Sequence, residues 1–171
     1  INEHKIHAWL VVGALACGCL GVMIFAIALA VSDARLVQVA IEIGLWVFLV
    51  PVFFSVTHRM LPFFSGSVVR GYVEYRSLAP LWVILACCLL HALGSIAGAR
   101  TWLWLPDLVG GVTALWLAWR WQIHKVFVSH LLAMHHVAGI WLGLAFLLFA
   151  LQSGLEALGV AVGWGGRAPL H

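Results

Sequence analysis

The sequence predicts an all-α fold, a polytopic transmembrane helix bundle. Hydrophobic residues fill 64% of its 171 positions, charged residues fill only 9%, and the mean hydropathy is +1.09. Soluble globular domains carry about 25% charged residues, so that class is excluded. Apolar runs of about twenty residues recur along the chain, and each can cross roughly 30 Å of hydrocarbon as a helix. Because the loops between these runs are too short for a soluble domain, we expect residues 1–171 to form a single transmembrane domain.

About five spans are expected, each near the length that crosses a bilayer. Pro62 follows the second apolar run and is expected to turn the chain there. The fourth run is the shortest, but Pro106 and Asp107 suit the start of a helix. Five glycines between residues 154 and 168 predict a loop before a further helix. The predicted spans cover residues 8–31, 36–57, 78–99, 106–121 and 131–153.

The basic residues predict the orientation of these spans. Cytoplasmic loops of membrane proteins carry an excess of Lys and Arg. The N-terminal tail and the loops after the second and fourth spans hold six such residues, against three on the other side, so we expect the first group in the cytoplasm. Because the basic residues are scattered through loops, no nucleic-acid surface is expected. They are Lys5, Arg59, Arg70, Arg76, Arg120 and Lys125 on the first side, and Arg35, Arg100 and Arg167 on the second.

Two ionisable residues are predicted to lie within the bilayer near its outer face. Glu42 is placed near the outer end of the second span and His91 near the outer end of the third. A charged side chain inside hydrocarbon costs about 2.5 to 3.5 kcal/mol. We therefore expect Glu42 and His91 either to hydrogen-bond each other or to hold a cofactor or ion.

Several histidines are predicted to form a second layer at the cytoplasmic ends of the spans. His135 and His136 are adjacent on one helix, so they point about 100° apart and cannot both face one site. Gly139 and Gly143 share a face with His136. Such a shallow surface suits a flat macrocycle beside its ligand, and it equally suits close packing of two helices. This layer contains His58, His130, His135 and His136, whereas His4, His7 and His124 are expected to be tail and loop residues.

Runs of residues along the chain resemble the NnrS family of bacterial membrane proteins. The similarity covers nearly the whole sequence and implies a polytopic protein of the bacterial cytoplasmic membrane, usually with about twelve helices that each span the bilayer. It also implies that the protein contains haem and copper and takes part in the response to nitric oxide. On this comparison the chain is expected to be a segment of a longer protein. The runs are SVTHRMLPFFS, HALGSIAG, ALWLAWRW, LLAMHHVAGIW, FALQS and the closing PLH.

The resemblance also indicates candidate cofactor and metal ligands. His136 matches the histidine of an LLAM-x-H pattern, and His91 matches a His-Ala pair in a span. His171 matches the first residue of a segment that opens a late helix. These three are the predicted metal ligands. His58 and Arg59 are further cofactor-binding candidates, with Arg59 predicted to meet an acidic group such as a haem propionate. The family pattern has Gly at the position of His58, which shifts the ligand prediction toward His136 and His91.

Two main classes of function remain open from the sequence, and a haemless electron-transfer partner or a purely structural bundle is a third. The first is a haem- and copper-binding membrane protein that responds to nitric oxide or protects against it. Haem iron accepts imidazole as an axial ligand, and nitric oxide is small and apolar enough to reach a buried haem through the lipid bilayer. The alternative is a small-solute or ion transporter module with an intramembrane site at Glu42 and His91. The residues do not decide whether the protein is an enzyme.

Overall fold

The computed structural model describes residues 3–160, apart from the side chains of residues 3, 4 and 128. Within that range five helices and no strands form, which confirms the all-α helix bundle. Four of these helices are long and apolar enough to cross a membrane. The fifth, over the fourth predicted span, has 17 residues. The helices are α1 (Glu3–Val31), α2 (Ala34–Val68), α3 (Ala79–Ile96), α4 (Trp104–Arg120) and α5 (His130–Ala157).

Helix α2 is longer than the sequence predicted. The expected turn at Pro62 is wrong, because the helix continues through this residue to Val68. Proline has no N–H for the carbonyl group four residues earlier, which here belongs to His58. The Pro62 ring is fully buried among neighbouring residues. Transmembrane bundles tolerate proline within helices because neighbouring groups compensate for the missing hydrogen bond, so Pro62 does not end the span.

A π-helical segment, Ile43–Leu49, interrupts the regular hydrogen bonding of α2. It leads into Pro51, which lacks the N–H that would bond the carbonyl of Val47 in an α-helix. The wider π-helical turn accommodates the residues that precede Pro51. It also contains Trp46, whose side chain is only 2% exposed and packs in the core.

The C-terminal end of α5 differs from the predicted boundary. Helix α5 continues to Ala157, so the loop predicted over residues 154–168 begins at residue 158 instead. The remainder of that predicted loop from residue 161, and the predicted metal ligand His171, lie outside the described residues.

The bundle is organised around α2 and the α4–α5 pair. Helix α2 packs against α1, α3 and α5, with its most extensive contact on α1, and α4 packs extensively along α5. A Cβ atom added at Gly111 would lie 3.0 Å from the carbonyl oxygen of Gly143, and one added at Gly143 would lie 2.9 Å from the Leu115 side chain. These two glycines therefore allow α4 and α5 to approach closely.

Two connecting segments close one end of the bundle. The indole Nε1–H of Trp121 donates to the carbonyl of Tyr75 at 3.2 Å, and the side-chain amide of Gln122 donates to the carbonyl of Val73 at 3.1 Å. The guanidinium of Arg120 lies 4.8 Å from the centre of the Tyr75 ring, within the range of a cation–π contact. The connection after α2 and the connection after α4 are thereby joined at the end predicted to face the cytoplasm.

Candidate functional site

His91 and Asp107 form a buried pair between α3 and α4. The Nδ1 atom of His91 lies 2.7 Å from Oδ1 of Asp107, and the two side chains are 6% and 0% exposed. A carboxylate only accepts hydrogen bonds, so the imidazole Nδ1–H is the donor. In a neutral imidazole this arrangement leaves Nε2 with a lone pair.

Aromatic rings enclose this pair on the side of α2 and α5. The Trp46 ring lies 4.1 Å from the His91 ring, and the Phe149 ring lies 5.0 Å from it in an edge-on arrangement. The second carboxylate oxygen of Asp107, Oδ2, is buried and has no hydrogen-bond partner among the described residues. A buried acceptor left without a partner costs about 1 to 3 kcal/mol. The site thus contains an oriented imidazole and an unpaired oxygen in apolar surroundings.

The sequence suggested a hydrogen bond between Glu42 and His91. The Nδ1 atom of His91 is instead hydrogen-bonded to Asp107. Glu42 is buried, and its Oε1 accepts from the Gln38 side chain at 2.5 Å on the same helix. Sequence reasoning missed Asp107 as a partner because its position suited a helix start. The position of Asp107 within an apolar segment could have identified it, because a carboxylate inside the membrane indicates a paired or functional group.

A chain of hydrogen bonds joins two histidines at the other end of the bundle. His58 Nε2–H donates to the carbonyl of Ser77 at 2.9 Å, so in the neutral ring Nδ1 accepts from His7 Nε2–H at 3.2 Å. The two rings stack with centroids 5.4 Å apart. The expectation that His7 is a tail residue is wrong, because it lies in α1 and is buried. This contact was not predictable from spacing, since 51 residues separate the two positions.

His136 lies in the same layer as His58, with Trp121 between them. The Trp121 ring is 5.8 Å from the His58 ring, and the Trp121 carbonyl is 3.3 Å from Nε2 of His136. Nδ1 of His136 is 3.0 Å from the carbonyl of Leu132. His136 is 1% exposed whereas His135 is exposed, which agrees with the expectation that the two point in different directions.

Gly139 and Gly143, the two glycines on the His136 face of α5, differ in how closely other residues pack against them. Gly143 packs against Leu115 and Ala114 of α4, so at this position the small residue serves close helix packing. A Cβ atom at Gly139 would meet nothing within 4 Å. The flat surface suggested for a macrocycle beside His136 is therefore interrupted by α4 at Gly143.

His91 fits the chemistry of a haem or copper ligand better than His136 does. Ligating histidines commonly donate their second ring N–H to a carboxylate, as His91 does to Asp107. Both ring nitrogens of His136 face backbone carbonyls, so its Nε2 must leave the Trp121 carbonyl before it can bind a metal. In the part of the chain that the structure describes, no group of three or more His, Cys, Asp or Glu side chains is placed to hold a metal ion. His91 thus fits as one ligand of a site that needs others.

His58 and Arg59 belong to a different site from the one that contains His91. They line a cleft of about 330 Å³ at the end of the bundle, together with residues from α1 and from the connection between α2 and α3. Because Nδ1 and Nε2 of His58 are both in hydrogen bonds, its ring is engaged in holding these segments together. The other lining residues are His7, Met60, Phe63, Arg76 and Leu78.

Comparison with known proteins identifies one family. The family described as NnrS protein matches the chain over residues 1–171. No curated protein and no solved structure matches the chain.

Proposed function

The chain belongs to the NnrS family, and from this premise we propose that it is a haem- and copper-binding protein of the bacterial cytoplasmic membrane that responds to nitric oxide or protects against it. Long apolar helices support a location in the lipid bilayer. The haem, the copper and nitric oxide as the small-molecule ligand are part of the proposal.

The observation that carries the proposal is the hydrogen bond between His91 and Asp107. Asp107 holds the Nδ1–H of His91 at 2.7 Å, which fixes the ring orientation and makes Nε2 the coordinating nitrogen. Trp46 and Phe149 shield the ring from polar surroundings. An apolar ligand such as nitric oxide would reach this position through the lipid without a polar channel.

In this proposal His91 would hold the haem iron or the copper ion through Nε2, and Asp107 would position its ring. A haem iron would supply the binding of nitric oxide, and a copper ion would supply one-electron chemistry. His136 remains a second ligand candidate only if its Nε2 leaves the Trp121 carbonyl. The predicted ligand role of His171 remains part of the proposal as well.

Metal and haem analysis of the purified full-length protein tests this proposal. We expect a Soret band, a pyridine haemochrome and bound copper in the wild type. The His91→Ala variant should lose haem or copper, or show a shifted Soret band, because it removes the coordinating nitrogen. His135→Ala is the matched control, since this histidine is exposed and its Nδ1 is hydrogen-bonded to the carbonyl of Leu131 in its own helix. A wild-type protein with neither haem nor copper would refute the proposal, and an unchanged spectrum in His91→Ala would exclude His91.

The burial of Glu42 and Asp107 favours one alternative, an ion or small-solute transporter module. The same purified protein distinguishes the two functions. A transporter would lack the Soret band, and its reconstituted flux would fall in the Glu42→Gln variant.

A further inference from the structure

The cleft beside His58 carries two cationic side chains and an apolar wall at the predicted cytoplasmic membrane edge. Three separate segments build it: the start of α1, the second half of α2, and the connection that leads into α3. The hydrogen bonds from His7 to His58 and from His58 to the Ser77 carbonyl hold these segments together. The cleft is therefore a feature of the folded chain and does not depend on one flexible side chain.

The charges of the cleft favour an anionic ligand. Arg59 and Arg76 both line it, and both are exposed. Glu74 pairs with Arg76 at 2.6 Å, which leaves the lining with a positive balance. In their neutral forms His7 and His58 use their Nε2–H groups within the hydrogen-bond chain, so the guanidinium groups are the donors that face a ligand. Guanidinium forks bind phosphate with paired, charge-assisted hydrogen bonds.

The apolar part of the cleft favours a ligand with hydrocarbon next to its charge. Met60 is 40% exposed and Phe63 is 58% exposed, and both line the cleft beside the arginines. A free phosphate ion would leave these side chains uncovered. A phospholipid places its phosphate at the membrane edge and its acyl chains along the apolar wall, so it matches both halves of the cleft.

We propose that this cleft binds the phosphate of an anionic phospholipid between Arg59 and Arg76, with an acyl chain against Met60 and Phe63. The site is separate from the His91 site and does not rest on the proposed haem and copper chemistry. Each basic residue near an anionic membrane surface raises the binding affinity about fivefold.

Lipid titration of the delipidated full-length protein in detergent, followed by native mass spectrometry, tests this site. We expect dioleoyl phosphatidylglycerol to bind about fivefold or more tightly than dioleoyl phosphatidylcholine. Arg59→Gln and Arg76→Gln should each weaken phosphatidylglycerol binding about fivefold, whereas Arg59→Lys should weaken it less because the charge remains. Arg70→Gln is the matched control, since Arg70 is exposed in the same connection and does not line the cleft. Haem content is measured on the same samples.

Several results would overturn the proposal. One is an equal affinity for the two lipids in the wild type, and another is an unchanged preference in both glutamine variants. Displacement of phosphatidylglycerol by millimolar inorganic phosphate would show that the site recognises the free ion instead. Loss of haem from Arg59→Gln with unchanged lipid binding would assign Arg59 to a haem propionate. Failure of the haem proposal itself would leave the lipid result unaffected, because the lipid titration needs no cofactor.

Discussion

Replacement of Gly111 by alanine tests the close packing of α4 on α5. The added Cβ would lie 2.7 Å from the Leu147 side chain and 3.0 Å from the Gly143 carbonyl oxygen. The leucine can move, but the carbonyl belongs to the α5 backbone, so the helices must separate slightly. Overpacking of this kind costs about 1 to 3 kcal/mol. Alanine in place of glycine within a helix recovers up to about 1 kcal/mol, so the net expectation is a loss of up to about 2 kcal/mol in the free energy of unfolding.

Gly139→Ala is the matched control for this prediction. It makes the same chemical change on α5, but its Cβ would meet nothing within 4 Å, so only the gain in helix propensity remains. Reversible unfolding in mixed micelles, followed by tryptophan fluorescence, measures both variants. The difference between them isolates the packing cost of about 1 to 3 kcal/mol. Equal stability of the two variants would contradict the close approach of α4 and α5 at Gly111.

Three further changes have expected outcomes in the same unfolding assay. Asp33→Ala should cost about 1 kcal/mol, because the Asp33 carboxylate caps α2 by accepting from two backbone N–H groups; a loss below 0.3 kcal/mol would contradict the cap. Trp46→Ala should cost about 3 kcal/mol or more, because the buried ring contacts three others, whereas Trp141→Ala, at an exposed ring, should stay within about 0.5 kcal/mol. A double-mutant cycle of His7→Ala and His58→Ala should show a coupling of about 0.5 to 1.5 kcal/mol, and zero coupling would exclude their hydrogen bond.

Hydrophobicity predicted the helices well because the bilayer restricts the possible folds. Backbone groups in hydrocarbon must be satisfied within a helix, so each long apolar run has one available structure. The error at Pro62 arose from a rule that holds for exposed helices in water. Inside α2 the proline ring is buried, and the helix continues for six residues beyond it to Val68. The π-helical segment before Pro51 was likewise not predicted, because the length of an apolar run does not indicate the hydrogen-bonding pattern of its helix.

The sequence predicted how deep His91 lies in the membrane, but it did not predict which side chain His91 is bonded to. His91 is buried, as its predicted depth implied, but the hydrogen-bond partner expected for it was Glu42, whereas its Nδ1 is bonded to Asp107 on the next helix. Helical periodicity places residues on the faces of one helix, whereas the partner of a buried side chain depends on how two helices rotate against each other. The same limit applies to His7 and His58, which come from helices whose relative position the sequence does not specify.

Stability alone does not account for an imidazole and a carboxylate in the core of this bundle. A buried pair recovers in hydrogen bonding about what it loses in desolvation, and apolar side chains of the same volume often stabilise a protein as well or better. Oδ2 of Asp107, which has no hydrogen-bond partner among the residues that the structure describes, adds a further cost of about 1 to 3 kcal/mol. Trp46 and Phe149 already supply an aromatic environment in which an apolar replacement would pack. The arrangement instead suits a function in which Asp107 fixes the orientation of His91 so that Nε2 is held ready for a ligand.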